Sequence, residues 1–137
     1  ARPITQAPYQ PLADLFLDFR GHERPEDYER ELDLETAIAT TRYRVGDVSF
    51  TREAFVSAAD DVLVMRLCAS RAGALDCALR LASEQRGRFD WQRQPETWFT
   101  RAEFGLRGRN RAFAGVPGVL SFELAFALRS TGGRSLP

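Results

Sequence analysis

Residues 9–19, YQPLADLFLDF, and residues 28–67, YERELDLETAIATTRYRVGDVSFTREAFVSAADDVLVMRL, decide the fold. Short segments in which apolar and polar residues alternate follow one another through both stretches. That period of two belongs to strands with one face buried and one face wet. Leu15, Leu17 and Phe19 alternate with Asp14 and Asp18, which predicts a strand over 12–19. A polar loop over 21–27 follows, holding the single histidine, His22, and Pro25. Pro25-Glu26-Asp27 could open a helix. The alternation of Tyr28, Arg30, Leu32 and Leu34 fits a strand as well.

Working outward, 37–45 and 48–55 flank Gly46-Asp47, a two-residue link whose glycine can take a positive φ and close a tight primed turn. A second hairpin is expected between 62–69 and 74–82 around Ala72-Gly73. It would set Cys68 directly opposite Cys77, as a cross-strand pair or simply as two small core residues. Residues 83–97 read as loop. Strands return over 99–107 and over 119–128, where Leu120, Phe122, Leu124, Phe126 and Leu128 share a face. Strands at this density without a helical period predict an all-β fold, an antiparallel β-sandwich.

The order Tyr9-Gln10-Pro11-Leu12-Ala13-Asp14-Leu15, Glu31-Leu32-Asp33-Leu34, Arg42-Tyr43, Phe50-Thr51-Arg52-Glu53 and Val62-Leu63-Val64 resembles the amino-terminal β-domain of glycoside hydrolase family 95, the α-L-fucosidase and α-L-galactosidase family. The likeness continues through Arg71-Ala72-Gly73-Ala74-Leu75 and Leu106-Arg107-Gly108 to the strand at Phe122, with Ala13 standing where that family usually has glycine. The resemblance implies a super-sandwich and, together with the alternation of Tyr28, Arg30, Leu32 and Leu34, tips that segment to strand. Residues 1–137 would then be a single, incomplete amino-terminal module, with the catalytic (α/α)6 barrel downstream. It implies a whole enzyme that releases terminal α-L-fucose or L-galactose by inversion, without cofactor or metal, from oligosaccharides or plant and host glycans. A periplasmic or secreted address is favoured over a cytoplasmic one. The barrel carries that family's acid and water-activating groups, so no catalytic residue is expected in this chain, whose own partner would be the barrel.

Composition narrows the alternatives. Nineteen basic residues, all of them Arg, balance nineteen acidic ones, and no basic patch is dense enough to track nucleic acid. No apolar run approaches the roughly twenty residues that span a bilayer as a helix. The chain opens Ala1-Arg2-Pro3 without a leader pattern, as expected if a signal peptide had been removed or lay elsewhere.

Glycoside hydrolysis needs two facing carboxyl groups. Asp33, Glu35, Asp60, Asp61, Asp90, Glu96 and Glu103 are available, none in a distinctive motif. Trp91 and Trp98, with Gln, Arg and acids between them, hold the ingredients of a sugar platform on a loop: a sugar's apolar face stacks on an indole and its hydroxyls meet the polar neighbours. The alternative function is thus a stand-alone carbohydrate-binding sandwich using these two rings, against the plainer reading of Trp98 as core. Gln10 and Asp14 are candidates for the surface that meets the barrel. His22, lacking an activating partner, reads as a surface residue, and Gly105, Gly108, Gly115 and Gly118 as turns and bulges.

Overall fold

A computed structural model gives the fold and describes residues 11–82, 96–100, 103–110, 112 and 115–133. Nine strands and no helix occur among them. They are β1 (Asp14–Phe19), β2 (Glu26–Asp33), β3 (Ile38–Val45), β4 (Val48–Ser57), β5 (Val62–Ala69), β6 (Cys77–Ala82), β7 (Glu96–Phe99), β8 (Glu103–Arg109) and β9 (Ser121–Ala127). The sheets run β1-β6, β2-β3-β4-β5 and β7-β8-β9. The class is the expected all-β one, with antiparallel sheets of the β-sandwich kind. Among the described residues, no helix is long and apolar enough to cross a membrane. By its internal contacts the chain divides into one unit of residues 18–78 and another made of 1–17 and 79–137.

The first unit is a four-stranded meander. Gly46, at φ 59°, takes the first position of the β3–β4 turn and Val45 pairs with Val48, the geometry of a two-residue primed hairpin. The other two turns lie at the opposite end of the sheet, each with four residues and an L-residue at positive φ last: Ala37 (56°) after β2 and Asp61 (53°) after β4. Asp33 Oδ1 accepts from the backbone N–H of Glu35 at 2.9 Å, and Ser57 Oγ donates to Asp60 at 2.7 Å. Such local bonds hold the turns in shape. Alternation then sends Tyr43, Val48 and Phe50 to one face as a buried core, with Val45, Ala69 and Ala74 against it.

The β5–β6 hairpin expected around Ala72-Gly73 is absent. β5 pairs with β4, and β6 pairs with β1. Gly73 does turn, at φ 74°. The chain between β5 and β6 is also tied to the β3–β4 end by Ser70 N–H to the Ser49 carbonyl (2.9 Å) and by Arg71 to Asp47 (3.0 Å), which carries β6 away from its sequence neighbour. Cys68 and Cys77 are therefore free thiols.

In the second unit, the single strand expected over 99–107 is two strands, β7 and β8. Thr100 makes the bend: its N–H donates to the Glu103 carbonyl at 2.7 Å and its Oγ1 accepts from the Glu103 N–H at 3.0 Å. Phe104 stacks on Phe126 at 5.0 Å, and Leu106, paired with Leu124, is buried. Gly105 and Gly108 lie inside β8, and their lack of a side chain serves cross-strand packing rather than a turn.

Candidate functional site

The densest arrangement of polar and aromatic groups in the 18–78 unit centres on Arg52. Alternation along β4 puts this cation on the same face as Phe50, so it enters the core instead of solvent. Its guanidinium carbon lies 3.9 Å from the Phe19 ring centre and 4.7 Å from that of Tyr43. Nη2 donates to the Tyr43 hydroxyl, while Nε is buried without a hydrogen-bond partner among the described residues. The Tyr43 oxygen also lies 2.8 Å from His22 Nδ1. Arginine can only donate, so the phenol oxygen accepts from Arg52; it keeps a second lone pair as well as its proton, and its bond with His22 runs either way according to the imidazole tautomer.

His22 is no surface histidine. It stacks on Phe19 at 5.3 Å and packs on Phe50 at 4.4 Å, and Tyr43 stacks on Phe50 at 5.3 Å. A composition-based reading saw only the polar loop around it. The available signal was Arg52 itself, a cation at an inward position between Phe50 and Ala54. Cys77 sits half-buried near this group. Desolvation pushes its thiol pKa up, with Arg52 pulling the other way.

Asp33 caps the β2–β3 turn in full solvent, where the Thr36 side chain and the backbone N–H groups of Glu35 and Thr36 hold its pKa below the ordinary value. Glu35, Asp60, Asp61 and Glu103 are exposed, and Asp90 lies outside the described residues. Other acids form exposed ion pairs: Glu31 with Arg42 (3.0 Å), Glu26 with Arg44 (2.7 Å) and Glu53 with Arg66 (2.7 Å). Hydrogen bonding to Asp27 chiefly, and to Glu53, raises the pKa of Arg44 and Arg66 respectively. Among the described residues, no three His, Cys, Asp or Glu side chains gather so as to hold a metal ion.

Of the two tryptophans, Trp91 lies outside the described residues, as does Gln10. Trp98 belongs to β7 and not to a loop. It is half-buried, set over its cross-strand partner Gly105, with Nε1 buried and unpartnered among the described residues. Asp14 begins β1 as an exposed residue, with Pro11 ahead of the strand.

The antiparallel sheets β2-β3-β4-β5 and β7-β8-β9 define an all-β protein of the β-sandwich class. Residues 2–136 match the family described as "Glycosyl hydrolase family 65, N-terminal domain", and the chain belongs to that family. It is 43% identical over 79 residues to Alpha-L-fucosidase 2 of Arabidopsis thaliana, covering 56% of this chain and 9% of that protein. It is also 39% identical over 59 residues to the protein named Probable alpha-fucosidase A of Aspergillus niger, covering 43% of this chain and 7% of that protein. The matched stretches thus span less than a tenth of the length of either relative.

Proposed function

We propose that this chain is the non-catalytic amino-terminal module of an α-L-fucosidase-like glycoside hydrolase of the family 95 type, supporting and orienting a separate catalytic (α/α)6 barrel. The single observation that carries the reading is the state of the acids. A glycosidase's general acid needs a raised pKa and a second carboxyl across the scissile bond. Among the described residues, Asp33 is the one candidate carboxylate with a resolved shift, and it moves downward and caps a turn. Glu35, Asp60, Asp61 and Glu103 stand in solvent. The likeness to two proteins named as fucosidases supports an α-L-fucosyl linkage as the substrate class.

The test is release of free fucose from fucosyllactose by the full-length gene product and by residues 1–137 alone. Turnover is expected from the first and none from the second. Turnover by the isolated chain that survives repurification would overturn the assignment of a supporting role, and an inactive full-length product would overturn the substrate class.

A further inference from the structure

The far end of the β4–β5 hairpin is apolar on both sides. From Ala54 to Met65 the only charges are Asp60 and Asp61, in the turn at the tip. The pairs Phe55–Val64 and Ser57–Val62 lie on one face of the sheet, and Ala54–Met65 and Val56–Leu63 on the other. Phe55, Val56, Val62, Leu63, Val64 and Met65 are 37–71% exposed. Further along the same face as Phe55 and Val64, the sheet carries Thr51 and the Glu53–Arg66 ion pair. A strand with one solvated face alternates, whereas a continuous apolar run such as Val62-Leu63-Val64-Met65 is the pattern of a strand covered on both faces. Six exposed apolar side chains in one arm are more than the scattered single residues of an ordinary surface.

We propose that this arm, residues 54–65, plugs into a two-walled apolar cleft with an arginine or lysine at its floor, on the remainder of the full-length glycosidase; this rests on the reading given above. Two walls are needed because both faces are apolar. The floor is basic because the tip carries Asp60 and Asp61 with no cation within the arm to balance them. The Glu53–Arg66 pair, 2.7 Å across the two strands, marks where the inserted part ends on one face. The plug is therefore about four residues of each strand deep, or ~13 Å at the rise of a β-strand.

Met65 is the only methionine, so its oxidation reads one face without any substitution. Peroxide oxidation of Met65 would be followed by mass spectrometry in residues 1–137 and in the full-length product. Maleimide labelling of Val56→Cys and Val64→Cys, each combined with Cys68→Ser and Cys77→Ser, reads the two faces separately, with Glu29→Cys as an exposed control. All three arm positions are expected to react at least an order of magnitude more slowly in the full-length product. The control should not change, and Asp60→Lys with Asp61→Lys should restore reactivity. Equal reactivity in a full-length product that still hydrolyses fucosyllactose would overturn the plug while leaving the functional reading intact. Protection of one face only would overturn the two-walled cleft. Protection in residues 1–137 that rises with concentration would identify a second copy as the occupant and overturn the proposal. A protected arm in a product inactive on fucosides would support the plug and overturn the substrate class instead.

Discussion

Trp98 lies across Gly105, its partner on the neighbouring strand, so closely that a Cβ at residue 105 would come within 2.5 Å of the indole Cζ2. Gly108 repeats the relationship with Phe122, whose Cζ would lie 2.8 Å from a Cβ there. In both, a ring fills the space that glycine leaves and covers the backbone beneath it.

Gly105→Ala should destabilise the β7-β8-β9 sheet by about 1–3 kcal/mol, since the new methyl meets the Leu124 backbone carbonyl as well as the ring, and a backbone atom cannot swing aside. Trp98→Ala should cost about 2 kcal/mol, below the range for a fully buried tryptophan because the side chain is only half-buried. Urea unfolding of both variants checks this. An alanine at 105 as stable as glycine would mean that the ring does not lie where it is described.

Tyr43→Phe removes one oxygen that serves both Arg52 and His22. With the site partly buried, the loss should be about 1–3 kcal/mol, the cost of leaving buried polar groups unsatisfied. Arg52→Lys should also destabilise, because a point charge cannot lie flat between the Phe19 and Tyr43 rings. Urea unfolding reads both losses, and variants as stable as the parent would show that the phenol does not bridge Arg52 and His22.

Both cysteines should carry an alkylating label after non-reducing treatment, Cys68 first. Cys68 is exposed and pairs with Thr51 on one face of the sheet, whereas Cys77 is half-buried beside Arg52, which belongs to the other face. Burial disfavours the Cys77 thiolate, and the thiolate is the reactive species. Time-resolved iodoacetamide labelling near pH 8 distinguishes the two. Faster reaction at Cys77 would contradict the placement of β6.

The β2–β3 turn should be insensitive to mild acid. Because the folded pKa of Asp33 lies below its ordinary value of 3.8, the bonds to the ionised carboxylate persist above that value and are lost only as pH falls through the lower folded one. The amide shifts of Glu35 and Thr36 report it directly. A titration midpoint above 3.8 would show that Asp33 is not accepting these bonds.

The alternation in 37–67 was enough to place β3, β4 and β5, because antiparallel strands joined by short turns need only local information, a period of two and a turn such as Gly46-Asp47; β2 needed the family resemblance as well. The all-β class and the family resemblance were legible for the same reason, since each rests on the order of residues along the chain. Three things were decided only by tertiary structure. β6 left β5 for β1, a non-local pairing that no turn rule at Ala72-Gly73 predicts, and with it Cys77 left Cys68. His22 entered an aromatic cluster whose members, Phe19, Tyr43 and Phe50, come from three different strands. Gly105 and Gly108, which read as breaks in a one-dimensional pattern, became the positions where a neighbouring strand lays down an aromatic ring. Sequence fixes a residue's face on its own strand; what meets that face depends on which strands the fold brings beside it.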